Sequence, residues 1–398
     1  VGSSIQGTDA PSQRIWTKDF ALATTSRFFY GVTFMLNNTT MTAFCMKAYG
    51  VGTGEAGMAA GVFVVAALIS RVFAGRYADL AGRRTVLLAS GAVYFALSLA
   101  YFAPMGFSAF ALMRFLHGLA FGVNNNTLTV VVTEHLPDRR WGEALGYFSL
   151  ASTLANAVAP FLGIALVHGS RFIAVLALNA VCSALAFLAI ACMRVRGLEL
   201  SPEQKAELFS GFKLRDFFEP AALSLSALAM VATLAFGSVN SFLSVHAESL
   251  GLSSYAPWFF VIYAVALMLT RPHAGKLLDR EGENAVIGPA VVSMALGFAV
   301  LAFCAGGAAF FASACLLAVG FGNFFSNVQV VTVKAVEAHR VGLATSTFYA
   351  LADFGLGMGP MAAGLLIPHV GCRGVYLVCA AVSAVLLAVY WVSHGRRV

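Results

Sequence analysis

Charge is scarce in this chain: Asp, Glu, Lys and Arg make up only 11% of its 398 residues, and the acidic residues number 18. That is too few to solvate a surface of ordinary size, so a soluble α/β protein with long core strands is excluded as the general reading. The seven cysteines stand singly, with no CxxC pair and no Cys/His spacing, so neither a disulfide nor a metal site is expected. No Ser/His/Asp or metal-ligand constellation and no phosphate-cradling glycine loop occurs, and an enzyme and a cofactor are therefore not expected. Residues 1–15 lack the charged-then-apolar order of a signal peptide. Apolar sequence dominates instead. Hydrophobic residues reach 59% and the mean hydropathy is +0.82.

A hydrocarbon core needs roughly 20 apolar residues per crossing helix. Windows of that length predict an all-α membrane protein with twelve spans, at about 20–46, 56–78, 85–104, 107–132, 144–167, 172–193, 220–247, 255–275, 285–305, 308–333, 342–367 and 372–392. The chain is also duplicated. RVFAGRYADLAG at 71–82 returns as RPHAGKLLDREG at 271–282, and the same shift carries Phe121 onto Phe321, Arg140 onto Arg340, Phe148 onto Phe348 and Pro160 onto Pro360. A gapless parallel repeat predicts two six-helix halves related by a pseudo-two-fold axis along the membrane normal. The expected organisation is a tail at 1–19, a first half at 20–193, a linker at 194–219 and a second half at 220–398 with its short tail. Ser201 and Pro202 look like the start of a short amphipathic helix within the linker.

Orientation follows from the basic residues. Twelve spans put both termini on one side. Of the 25 Lys and Arg, only Lys47, Arg171 and Arg373 fall on the other side, and Arg27, Arg71, Arg114 and Arg271 lie inside spans. This imbalance places both termini in the cytoplasm of a plasma-membrane protein. The net charge of +7 then describes loops against an anionic leaflet of membrane lipid, with no nucleic acid partner.

Three segments carry a family resemblance. Gly75, Asp79, Gly82, Arg83 and Arg84, within GRYADLAGRR, resemble the loop motif GxLADrxGrkx of the major facilitator superfamily, departing from it at Tyr77 and Leu80. Arg114, Gly118 and Gly122 in the fourth span are similar to the family's RxxxG segment. Gly146, Ala155, Ala159, Pro160 and Gly163 resemble the antiporter motif GxxxxxxxxGxxxGPxxGG, with Ile164 in its last position. Ser346, Gly355, Gly359, Pro360, Ala363 and Gly364 form the eleventh-span equivalent. The resemblance implies a monomeric carrier of the drug and metabolite exporter type, working by alternating access. It implies efflux of a small organic molecule in exchange for protons, with uptake by proton symport as the alternative. It also implies that Gly75, Asp79, Gly82, Arg83 and Arg84 brace the halves. Pro160, Gly355, Gly359 and Pro360 would shape the rocking interface.

In that family the first, fourth, seventh and tenth spans line the central cavity, which implies a candidate substrate set. Arg27, Tyr30, Phe34 and Asn38 share a face of the first span. Arg114, His117, Phe121 and Asn125 share one of the fourth, and Asn240, Asn323 and Asn327 lie on the seventh and tenth. Each Asn could equally be interhelical glue, Arg114 could snorkel outward, and His117 could be a packing residue. The 34 phenylalanines favour an apolar or aromatic substrate over a sugar. Asp353 is the one acid placed deep in a span, about 16 Å in at 1.5 Å per residue. Desolvation favours the neutral form of a carboxylate unless a cation is near, which fits a proton carrier. Arg27, at similar depth, is a possible partner.

Overall fold

A computed structural model describes residues 16–134, 141–168, 171–195, 218–336 and 341–396. It describes their side chains except at 72–80, 133–134, 141–146, 149, 153, 168 and 341–342. No strand occurs among them. The helices are α1 (Lys18–Tyr49), α2 (Thr53–Ala81), α3 (Arg83–Ala100), α4 (Phe107–Glu134), α5 (Trp141–His168), α6 (Phe172–Cys192), α7 (Pro220–Ser249), α8 (Ala256–Glu281) and α9 (Asn284–Phe303). α10 starts as Gly307–Leu317, widens into a π turn at Ala318–Gly322 and continues as Asn323–Lys334. α11 (Val341–Tyr390) is bent at Gly371 and runs into a last π turn, Trp391–Gly395. Most of the expected linker, including its amphipathic helix, lies outside the described residues.

Seven of the described helical stretches are long and apolar enough to cross a membrane by length and composition. α1, α3, α4 and α8 are not among them. α1 and α4 carry Arg27, Asn37, Asn38, Arg114, His117 and Asn124, most of them buried, and such groups lower a window's hydropathy while helix neighbours satisfy them.

Local chemistry sets the ends. The Thr17 hydroxyl accepts the Phe20 N–H at 3.2 Å to start α1, and Glu219 caps α7 with Pro220 in its first turn. Gly82 (φ 84) and Gly282 (φ 86) end α2 and α8 with a positive φ that L side chains rarely adopt, though their ψ angles differ (114 and −176). The repeated sequence thus gives a positive-φ glycine at both places.

The apolar core divides as the repeat does. One cluster is built from residues 225–390, with Ile164 alone added from outside, and three smaller ones are built from buried residues 20–193. We call these the N-terminal group (α1–α6) and the C-terminal group (α7–α11). Three packings join them: α2 lies against α11, α5 against α8, and α1 against α7.

Candidate functional site

The space between the groups is built from α1, α2, α5 and α7, α8, α11. Toward one end, marked by Lys47, the groups are in close contact. The Thr53 hydroxyl donates to the Gly364 carbonyl at 2.9 Å, and the Ser241 hydroxyl donates to the Asn38 carbonyl at 3.0 Å. Thr42 donates to the Ser241 carbonyl in return. Lys47 and Glu248 pair at 3.3 Å. α2 and α11 touch backbone to backbone there, because a Cβ on Gly57 would lie 2.2 Å from the Pro360 carbonyl oxygen and one on Gly61 2.2 Å from that of Gly357. A void of about 50 Å³ remains beside Lys47, Ser244 and Glu248.

Further along the same interface, Arg71 of α2 forms an ion pair with Asp353 of α11, each side chain about a quarter exposed. This differs from the sequence expectation, in which Arg27 was the possible partner of Asp353. Arg27 instead hydrogen-bonds within the N-terminal group. Its Nε–H donates to the Ser152 hydroxyl at 2.8 Å, its Nη1 donates to the Asn125 amide oxygen, and its guanidinium lies 5.5 Å from the Phe148 ring centroid. Arg27 still sits close enough to Arg71 and Asp353 for the charges to act on one another. Tyr349, one turn before Asp353, feels Asp353, Arg27 and Arg271 and bonds Gln329.

Each group also holds a stacked phenylalanine pair. Phe34 and Phe121 stack at 5.1 Å in the N-terminal group, and Phe236 and Phe321 at 4.0 Å in the C-terminal group. Phe121 and Phe321 are repeat equivalents. Phe236, Arg71, Arg271 and Tyr349 were not singled out from sequence, although the recurrence of Arg71 as Arg271, both inside spans, was the signal that could have found two of them.

Other candidates are committed elsewhere. Arg114 is completely buried; it donates to the Ala59 carbonyl at 3.0 Å and, at 3.4 Å, to the Ala60 carbonyl and the Tyr101 hydroxyl, with its guanidinium 4.5 Å from the Phe63 centroid. It therefore ties α4 to α2 and α3. The His117 Nδ1 meets the Tyr101 hydroxyl at 2.9 Å, and its ring lies tilted against Tyr94 with centroids 4.0 Å apart. Tyr30 packs edge-on to Tyr94 at 5.1 Å. The Asn38 amide donates back to the Phe34 carbonyl and the Asn327 amide to the Asn323 carbonyl, while the Asn323 amide bonds Thr270. Asn240 is buried. Gly355 and Gly359 abut α7 at the Met230 and Leu234 carbonyls, inside the C-terminal group. Pro160 is buried in α5, and Pro360 presents its carbonyl to Gly57. Arg83 is buried and Arg84 exposed at the Gly82 turn. Gly75 and Asp79 fall in the stretch whose side chains lie outside the description.

Arg114→Ala should cost about 3 kcal/mol of stability, since buried carbonyls lose a charged donor, and should leave ligand binding by the remaining folded protein unchanged. Thermal unfolding with and without ligand reads both. Lost binding at unchanged stability would return Arg114 to the substrate wall.

The model of the Major Facilitator Superfamily matches residues 23–308 and 225–397, which together span nearly the whole sequence. The chain belongs to the Major Facilitator Superfamily. It is a multi-pass membrane protein and a transporter of small molecules, not an enzyme. Among its relatives is the staphylopine export protein of Staphylococcus aureus strain Mu50, 24% identical over 349 residues, covering 83% of this chain and 85% of that one. The multidrug resistance protein MdtG of Salmonella typhi is 27% identical over 154 residues, 37% of this chain and 38% of that one. Solved structures share the superfamily fold. A bacterial homologue of the human lysosomal transporter Spinster, inward-facing and unoccupied, has a TM-score of 0.78 at 13% identity over 97% of this chain and 98% of that one. The nucleoside transporter NupG has a TM-score of 0.71 at 15% identity over 93% of this chain and 98% of that one.

Proposed function

We propose that this protein is a monomeric twelve-span secondary transporter of the plasma membrane that exports a small organic molecule by alternating access, with a proton exchanged at Asp353. The two limbs of α11, before and after Gly371, count as the eleventh and twelfth spans. α1–α6 and α7–α11 are the two pseudo-symmetric halves, and both termini are cytoplasmic. Lys47 then marks the outer end. The contacts at that end fit an inward-facing state, in which water reaches Arg71 and Asp353 from the cytoplasm.

The Arg71–Asp353 pair carries this reading. It bridges the two halves, so anything that neutralises Asp353 or takes Arg71 away loosens one half from the other. An intramembrane ionisable pair of this kind is costly to keep and characteristic of ion and substrate pathways. Export as the direction is supported by the names of the relatives. Gly75, Asp79, Gly82, Arg83 and Arg84 would brace the cytoplasmic side. Phe34, Phe121, Phe236 and Phe321 would form apolar walls, with Tyr30, Asn38, Asn125, Asn240, Asn323 and Asn327 at their edges.

In this reading Asp353→Asn abolishes transport driven by a pH gradient and retains exchange of substrate between equal compartments in proteoliposomes. Normal uphill transport by the variant would remove Asp353 from coupling. A second reading, uptake with a proton, is favoured by one observation: arginines outnumber carboxylates between the halves. An anion that took Arg71 from Asp353 would leave a carboxylate ready to accept a proton. Anion and proton would then bind together rather than in turn.

A further inference from the structure

Between the two helix groups the charges do not balance. Arg27 comes from α1, Arg71 from α2 and Arg271 from α8, and Asp353 is the one carboxylate bonded to any of them among the described residues. An arginine at membrane depth is expensive unless it faces a partner or a cavity. Arg71 has its partner. Arg27 has only neutral ones, the Asn125 oxygen and the Ser152 hydroxyl, which fix the guanidinium without cancelling its charge. Its Nη2 edge has no acceptor among the described residues.

The repeat explains why Arg271 is left over. Arg71 pairs with Asp353, and the 200-residue shift maps Arg71 onto Arg271 and Asp353 onto position 153. That position is Thr153, so the second copy of the pair keeps its cation and lacks its acid. Arg271 is exposed, and its charge reaches both Tyr263 of its own helix and Tyr349 of α11. The Arg27 Nε–H bonds Ser152, next to position 153, and α5, which carries both, packs against α8, so the repeat sets Arg271 of one half toward Arg27 of the other, with Tyr349 near enough to feel both charges.

We propose that this space binds a small molecule bearing two or more acidic groups, clamped between Arg27 of one half and Arg271 of the other. A guanidinium offers a planar fork that suits carboxylate or phosphate oxygens in a bidentate manner. Two forks on opposite halves require two acidic groups on one molecule. A cationic substrate would meet an excess of positive charge. Arg71 is the third fork. It is occupied by Asp353 until that carboxylate is neutralised, so anion affinity rises when Asp353 loses its charge. The proposal deepens the second form of the transporter reading at this same site, in which anion and proton bind together, and depends on it.

The test uses purified full-length protein. Thermal shift is measured with citrate, glutarate and nitrilotriacetate as polyacids, acetate as a monoacid, and tetraphenylphosphonium and ethidium as cations. The polyacids should stabilise the protein, acetate and the cations should not, and Arg27→Gln or Arg271→Gln should weaken polyacid binding at least tenfold, as expected for losing a charged hydrogen-bond donor. Arg271→Lys should fall between, keeping charge without the fork. Asp353→Asn should bind the polyacids roughly tenfold more tightly, because Arg71 is freed, a gain that a merely structural role would not produce. Stabilisation by the cations, no stabilisation by any polyacid, or unchanged polyacid affinity in both Arg→Gln variants would overturn the proposal. Solute counterflow in proteoliposomes separates the two levels. Counterflow of ethidium but of no polyacid sinks the anion clamp and leaves transport standing, whereas polyacid binding without counterflow leaves the clamp and sinks transport.

Discussion

A single methyl group at Gly57 should stop transport while leaving a folded protein. The ideal Cβ of residue 57 would lie 2.2 Å from the Pro360 carbonyl oxygen and 3.3 Å from the Gly364 Cα, both on the opposite half. Those atoms are backbone, so no rotamer relieves the overlap and the two helices must separate. Overpacking of this kind costs on the order of 3 kcal/mol, enough to shift a two-state equilibrium by about a hundredfold. The contact lies between halves rather than within one, so the strain falls on the state in which this end is closed and not on folding. Gly57→Ala should therefore populate the outward-open state. With the native cysteines replaced, Ser244→Cys should react faster with a membrane-impermeant thiol reagent applied from outside, because Ser244 lines the small void at that end. Unchanged reactivity together with full transport would show that α2 and α11 do not form the outer seal.

The second large effect is expected at the charged bridge. Arg71→Asp places two carboxylates where an ion pair stood, and Asp353→Arg sets two guanidinium groups together. Each single variant should lose most transport. The double exchange restores opposite charges across the same interface, and recovery of a substantial fraction of activity is expected. Contacting residues typically couple by about 1–3 kcal/mol in such a cycle. Additive losses in the double variant would mean that the pair is incidental to switching.

How much of this was legible in sequence depends on dimension. Position along a helix axis is one-dimensional, and counting residues reports it: the predicted windows fall on the helices observed, and the glycines at 82 and 282 fall where α2 and α8 end. Which helix a face meets is a question of packing, and counting does not answer it. Arg27 and Arg71 both lie within spans on helices of the first half, so nothing in the spacing chose between them as partner for Asp353. The fourth-span face shows the same limit. Arg114, His117, Phe121 and Asn125 do share one side of α4, as helical spacing indicates. That side meets α2 and α3 near Arg114 and His117, all three of α1, α2 and α3 at Phe121, and α1 at Asn125. One stripe of side chains therefore has more than one environment, and its Asn125 end is the one that bonds Arg27, whose charge reaches Asp353. Arg271 was hidden for a different reason: its significance lies in the missing acid at position 153, and an absence is visible only once the Arg71–Asp353 pair is known.

The bend at Gly371 carries a mechanical consequence. Its backbone (φ 69, ψ 173) lies where only glycine sits without strain, and it joins the two limbs of α11 with no intervening loop. A joint without slack behaves as the elbow of a lever. The first limb bears Asp353 and Pro360; the second ends beside α9, where His394 meets Glu283 at 2.5 Å and the Asn284 amide donates to the Gly395 carbonyl at 2.8 Å. Displacement of the first limb from α2 is thus handed directly to the opposite membrane face, and events at the far gate are mechanically audible at the carboxyl end of the chain.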